Sequence, residues 1–397
     1  MHRIIQGDAK CMSIRKMLIS ITIFAVLLLL VTVSGKKDEM EESEPRSDVP
    51  TKESSNGNPV TETAKLEGFQ SREKEKSEDM PPFKFMSDEF QAGMNILIYG
   101  HPDLSETKKV FKQLRSLGIN SVALNFPYFQ SDWQANEVFI SSEYTPTNIE
   151  LEQMIKIAHD YNLSVMIRPI MDEQAFIPNG KWRGQIKPED PDKWFDSYQE
   201  LILSYAAIAE ATDAMSLNIG TELNSMQRIK QDRWAELIEN VRRVYKGDLL
   251  YSFNYDTISE IPALEFVTML DHVGIDAYFP LNLPDDASVE MLQEEWKNQL
   301  TPLEESLTEH SIIVTEVGVL PVAGAYRTPY AWSLPDRKYE PQVQANYYEA
   351  TYLIWKPRTN GIYWWAVTLG EDPNSISFSP LGLPAEEVLK KFFVRDD

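Results

Sequence analysis

Eight short apolar runs alternating with segments of helical period predict a (β/α)8 TIM barrel for residues 87–397. Two further observations support that fold. The polar residues of the strand-like runs share one parity class, as side chains lining a barrel axis do. Two glutamates, Glu222 and Glu316, stand where such runs end, 94 residues apart. The C-terminal end of a parallel strand is where α/β barrels place their chemistry.

The elements follow in order. Residues 17–33 form an uncharged apolar run, preceded by Arg3, Lys10, Arg15 and Lys16. A basic leader before a run at the short limit for a membrane span reads as a cleaved signal or an N-terminal anchor, covering 1–35. Val33-Ser34-Gly35 supplies small residues compatible with cleavage. On either reading the bulk of the chain is exported, secreted or tethered to the cell membrane. Residues 36–86 are dominated by Glu, Lys, Ser, Asp, Thr and Pro with almost no aliphatics. Such a segment buries too little surface to fold and is expected to be a disordered, charged linker.

From there the pattern is regular. Strand-like runs cover 94–99, 121–126, 164–170, 214–220, 249–254, 272–278, 311–315 and 361–367. Between them one helical face carries Val110, Phe111, Leu114 and Leu117, and another carries Leu151, Met154, Ile155 and Ala158. Trp234, Leu237, Ile238 and Val241 repeat that spacing, as do Leu292, Trp296, Leu300 and Leu303. A doubly wound open sheet is the alternative, but it would normally show fewer strands and a phosphate-binding loop.

Composition narrows the function. The formal net charge of −23 argues against nucleic acid or anionic membrane as a partner of the folded part and suits a neutral substrate. The one cysteine, Cys11, precedes the apolar run, so the exported part has no disulfide and no thiolate ligand. Histidines 101, 159, 272 and 310 are scattered without zinc-binding spacing, and no dinucleotide or Walker motif is present. No metal or cofactor is called for.

Strand parity picks out candidate site residues. Ser216, Asn218, Gly220 and Glu222 fall on one side of the fourth run, and Gly274, Asp276 and Tyr278 on one side of the sixth. Gly361, Tyr363 and Trp365 do so on the eighth, and on the third Met166 and Arg168 oppose Val165 and Ile167. Two carboxyl groups facing one another across a barrel mouth suit the acid/base and nucleophile of a retaining glycoside hydrolase. Tyr278 by a hydrogen bond, and Arg168 by its charge, would keep Glu316 ionised. Asp276 is expected in a buried structural hydrogen bond. Trp133, Trp182, Trp332, Trp364 and Trp365 offer indole faces to a pyranose, Trp365 beneath the cleavage point. Trp194 and Trp234 sit at helical positions and read as core.

At these residues the chain resembles a known family. The segments NFPYFQSDW (125–133), TPT (145–147), VMIRP (165–169), NIGTEL (218–223), GIDAYF (274–279), TEVG (315–318) and GIYWW (361–365) are similar to the signature segments of glycoside hydrolase family 113. The similarity spans 88–395. It implies a (β/α)8 hydrolase of the retaining clan, a family known for endo-β-1,4-mannanases. It implies that Glu222 is the acid/base, Glu316 the nucleophile, Tyr278 the tyrosine beside the nucleophile and Trp365 the tryptophan of the eighth strand. One departure matters: many members of the clan carry Asn immediately before the acid/base to contact the sugar 2-hydroxyl, and here Thr221 stands there. Asn125 or Asn218 would have to substitute.

The expectation is a monomeric, exported hydrolase of mannan-type polysaccharide or oligosaccharide, with Glu222 and Glu316 catalytic. Tyr278, Trp365, Arg168, Asn125, Asn218 and Trp133 would bind substrate. Hydrolysis of another β-linked glycan, and a non-catalytic carbohydrate-binding surface protein on the same frame, are the alternatives.

Overall fold

A computed structural model describes residues 89–372 and 374–394. The expected signal or anchor and the linker lie outside the described residues. Among those residues no helix is long and apolar enough to cross a membrane.

Eight parallel strands close into a barrel: β1 (Gln91–Leu97), β2 (Ser121–Gln130), β3 (Ser164–Met171), β4 (Ser216–Thr221), β5 (Asp248–Asn254), β6 (His272–Asp276), β7 (Ile312–Val317) and β8 (Gly361–Thr368). Each pairs with its sequence neighbour, and β1 pairs with both β2 and β8, which closes the ring. All eight expected runs are strands, with ends displaced; the first begins at Gln91 rather than 94. A two-residue strand, Val138–Phe139, adds an antiparallel ribbon to the end of β2.

Local sequence explains the helices. α1 (Leu104–Ser116) is capped by Asp103, whose carboxylate accepts from the Ser105 amide at 2.7 Å. α2 (Asn148–Asp160) opens with a capping box: Thr147 accepts from the Glu150 amide and Glu150 reaches back to the Thr147 amide. α3 (Pro191–Ala211) has Asp190 as its cap and proline at its first position, and α4 (Gln231–Val244) follows β4. Then come α5 (Val289–Leu300), α6 (Pro341–Trp355) and α7 (Pro384–Phe393). The fifth unit departs from the pattern. After β5 the chain forms 3₁₀ segments, Tyr255–Ala263 and Glu265–Met269, and Pro262 denies the first of them an α-helical hydrogen bond.

The core has two shells. Most apolar side chains fill the space between strands and helices, including the fully buried Trp194, Trp234 and Trp296. Inside the barrel a separate cluster joins Ala123, Met166, Leu250, Ile313 and Tyr363. Gly93 makes room for it, because a Cβ there would lie 2.4 Å from the Tyr363 ring on the neighbouring strand. This apolar plug closes the axis, so the polar residues further along the strands are left facing the C-terminal mouth.

Two bulges correct the simple parity reading. Between β4 and β5 the register runs Asn218 to Leu250 and then Thr221 to Ser252, one residue too many on β4. Gly220 consequently faces the helices, where an added Cβ would meet Tyr251 at 2.5 Å, rather than the axis. Between β6 and β7, Ile275 pairs with Val314 and Asp276 with Glu316, which inserts Thr315. Thr315 and Glu316 can then both turn inward. The carbonyl of Thr315 accepts from the side-chain Nδ2 of Asn95 on β1 at 2.9 Å.

Candidate active site

The floor of the mouth is a charged network centred on Arg168. Its guanidinium is fully buried and reaches three strands. Nη2 donates to both carboxylate oxygens of Asp276 at 3.0 and 2.9 Å, and Nη1 donates to Asn125 Oδ1 at 2.9 Å. Nη1 also donates to Glu316 Oε1. Burial opposes the arginine's charge, but Asp276 and Glu316 outweigh it and raise its pKa further. Asp276 also accepts from Thr315 Oγ1 at 2.7 Å, as a buried structural residue would.

Glu316 is gripped from both sides. Arg168 holds Oε1, and the Tyr278 hydroxyl donates to Oε2 at 2.8 Å. Tyr278 lies just beyond β6, in a turn fixed by the Ala277 amide donating to the Glu316 carbonyl at 2.7 Å. Burial, reinforced by the Glu316 carboxylate, pushes the phenol well above its ordinary value, so it remains a donor.

Glu222 stands in a different environment. Its backbone has φ of +52°, a left-handed conformation that costs a residue with a Cβ roughly 1–2 kcal/mol. Its amide donates to the Ser252 carbonyl at 2.9 Å, which anchors it to β5. Burial pushes the carboxyl up to about 7; Arg183 works against that rise and the nearby Glu316 adds to it. Arg183 Nη1 lies 2.9 Å from Glu222 Oε2. This arginine belongs to the loop between β3 and α3 and was not among the residues singled out from the sequence. Nothing in its local pattern marks it; only the fold brings it to Glu222.

The remaining candidates divide. Trp365 lies in the C-terminal half of β8, 7% exposed, with its indole edge-on to Trp332 at 5.9 Å, which in turn meets Phe378 at 5.4 Å. Trp133, half-buried, lies beneath Lys181, whose Nζ is 5.2 Å from the ring centroid. Trp364 departs from its expected sugar-facing role: it is buried on the helix side of β8, stacked on Tyr348 at 4.0 Å. Asn125 and Asn218 both have their amides committed inside the barrel. Asn125 donates to Asn95 Oδ1 at 3.0 Å while accepting from Arg168, and Asn218 donates to Ser252 Oγ at 2.6 Å while accepting from the Gly220 amide at 3.1 Å. Thr221 Oγ1 is met by Asn218 Nδ2 at 3.4 Å. Asn254, which pairs with Asp276 in register and so faces the axis, has a buried Oδ1 with no partner among the described residues.

Among the described residues no group of three His, Cys, Asp or Glu side chains could hold a metal ion. The arrangement is one of paired carboxyl groups in unlike settings, a division that separates proton donor from nucleophile in glycosidic cleavage.

Comparison with known proteins agrees with that chemistry. The sequence profile of Glycoside Hydrolase Family 113 matches residues 99–371. Among solved structures, a family 113 β-mannanase from Alicyclobacillus acidocaldarius, in complex with ManMIm, is similar at TM-score 0.67 and 22% identity, covering 79% of this chain and 99% of that one. A second family 113 β-1,4-mannanase gives TM-score 0.67 at 23% identity, over 77% of this chain and 99% of its own. A β-glucuronidase from Ruminococcus gnavus shares the barrel more distantly, with TM-score 0.52 and 11% identity over 76% of this chain and 50% of that one. No curated protein matches the chain.

Proposed function

The chain belongs to glycoside hydrolase family 113, and from that premise we propose that it is a retaining endo-β-1,4-mannanase with Glu222 as acid/base and Glu316 as nucleophile. The observation that carries the roles is the contrast between the two carboxyl groups. Glu222, raised to about 7 by burial, holds a proton near neutral pH. Glu316 instead has both oxygens engaged by donors, Oε1 by Arg168 and Oε2 by Tyr278, which fixes the carboxyl group in place.

The reaction follows in two displacements. A Glu316 oxygen attacks the anomeric carbon of the sugar on Trp365 as the glycosidic C–O bond breaks, and the leaving oxygen takes the Glu222 proton. The resulting glycosyl ester is opened by water. Glu222, now a carboxylate, removes a proton from that water as its oxygen bonds to the anomeric carbon, and Glu316 leaves as the free carboxylate. Two inversions give net retention.

Mannan as substrate is supported by the family and by the mannanases that share the fold. The first test is reducing-sugar release from β-1,4-mannan, with Glu222→Gln as control. Release that the variant loses supports the reading; release from a β-glucan or wall polysaccharide instead would redirect it. Thr221, where many relatives in the clan carry Asn, is the observation that favours this second substrate class.

We also propose that the protein acts outside the cytoplasm, tethered or released according to the fate of residues 1–35. The support is the basic leader and apolar run of the sequence. Fractionation of expressing cells tests it, and activity confined to the cytosol would reject it.

A further inference from the structure

The β3–α3 loop carries an arginine that the double-displacement chemistry above leaves unused. Arg183 Nη1 lies 2.9 Å from Glu222 Oε2, while its Nε lies 3.0 Å from Glu173 Oε1 and donates to the Met171 carbonyl at 3.1 Å. The Arg183 amide donates to the same Glu173 oxygen at 3.2 Å, so Glu173 fixes both the backbone and the guanidinium.

The loop itself is fastened to the segment that follows Glu222. Ser225 Oγ donates to the Ile186 carbonyl at 2.6 Å, and Ile186 is buried. Gly184 is closed over by the Trp182 ring, which a Cβ would approach to 2.4 Å. Such fastening is unusual effort for a surface loop. It presents one side chain, at a fixed distance, to one oxygen of one carboxyl group.

We propose that Arg183 is the positioning residue of the acid/base: backed by Glu173, it holds Oε2 of Glu222 and thereby aims the other oxygen, Oε1, at the glycosidic oxygen. A glutamate has three side-chain torsions, and Glu222 sits at a strained strand end, so a charged donor fixed on one oxygen removes the freedom that would misdirect the proton. The same contact favours the carboxylate that must form when the proton leaves. Other charged or titratable groups act on Glu222: Glu316 from β7, Arg168 from β3, Glu173 beside Arg183, Tyr251 and Tyr255 from β5 and the turn after it, and Asp276 and Tyr278 from the end of β6. Arg183 is the cation in direct contact.

This inference rests on Glu222 being the acid/base, and the test separates the two. The full-length enzyme is assayed over pH on a β-manno-oligosaccharide, whose leaving group needs protonation, and on a 2,4-dinitrophenyl glycoside, whose leaving group does not. Arg183→Met should lose roughly 10²-fold in kcat/KM on the oligosaccharide and less than about threefold on the activated glycoside. Its alkaline limb should move upward by roughly one pH unit or more, because an attractive charge has left Glu222. Arg183→Lys keeps charge but loses the guanidinium that spans Glu222 and Glu173, and should recover the limb but only part of the rate. Glu173→Gln, which leaves Arg183 in place but unbacked, should show the same selectivity more weakly and carries the test should the Met variant fail to fold. Equal losses on both substrates with an unmoved limb would overturn the proposal and leave Arg183 a structural ion pair. If Glu222→Gln shows no such dependence on leaving group, it is the acid/base assignment that fails.

Discussion

Tyr278 donates its hydroxyl to Oε2 of Glu316 across 2.8 Å, from the turn that ends β6 to the bulge that ends β7. The bulge is what makes this meeting possible, since without the extra residue Thr315 alone would face inward. Removing the hydroxyl leaves one oxygen of a buried carboxylate short of a donor. A hydrogen bond to a charged group contributes about 1.5–3 kcal/mol, so Tyr278→Phe should lower kcat roughly 10- to 100-fold. Arg168 and the barrel floor are untouched by the change, so Tm should move little. Steady-state kinetics and a thermal melt check both halves, and a loss of rate that tracks a loss of fold would count against the role.

Glu316→Ala should abolish turnover of natural substrate. With an activated glycoside, azide should restore turnover by entering the space the carboxylate vacates and attacking from its side of the ring. The product is then an α-configured glycosyl azide, inverted relative to the β-linked substrate. Product configuration by NMR is the readout. A folded variant that azide fails to rescue would argue that another group forms the glycosyl bond.

Glu222 makes a prediction of the same sign for activity and for stability. As acid it must be protonated, so kcat/KM should fall as pH rises through about 7. Its folded pKa lies above the unfolded value of 4.5, so the folded chain binds this proton more tightly. That contribution to stability is fully present below about 4.5 and is lost as pH rises through about 7. Glutamine does not titrate. The Tm of Glu222→Gln should therefore gain on that of the wild type between pH 5 and 8, with no such gain if burial of the carboxyl is not the cause. The residue that limits the rate at high pH would thus also be a source of instability there.

Much of this arrangement was legible because it follows from period. Alternation along β3 assigns Arg168 to the axis and Ile167 to the helices, and the buried positions of both agree. The spacing of Trp234, Leu237, Ile238 and Val241 likewise predicts the buried face of α4. What period cannot carry is a change of count. The bulges on β4 and β7 each insert a residue, so Gly220 lies on the opposite side from the one assigned and Glu316 faces inward beside Thr315. Glu222 keeps its inward aim through a bulge and a left-handed φ, not through the alternation that pointed to it. Arg183 escaped because its partner is 39 residues away, brought close only by the pairing of β3 with β4. Trp364 was misassigned because adjacent indoles on a strand must face opposite ways, and only Trp365 faces the mouth.

Arg168 provides the sharpest division between what the fold needs and what the reaction needs. It is buried and balances Asp276 and Glu316, one cation against two carboxyl groups. Arg168→Met keeps much of the side chain's volume but leaves those two groups facing each other without a counter-charge. Breaking a buried pair in this way typically costs about 3–5 kcal/mol, so the variant should melt well below the wild type. Asp276→Asn, by contrast, leaves the arginine with Glu316 and keeps an acceptor for Thr315, and should cost less. The double variant Arg168→Met/Asp276→Asn removes one charge of each sign, so it should be less destabilised than Arg168→Met alone. Thermal melts of the three variants read this directly. If the double variant were no more stable than Arg168→Met, the network would owe its stability to packing and hydrogen bonds rather than to charge balance.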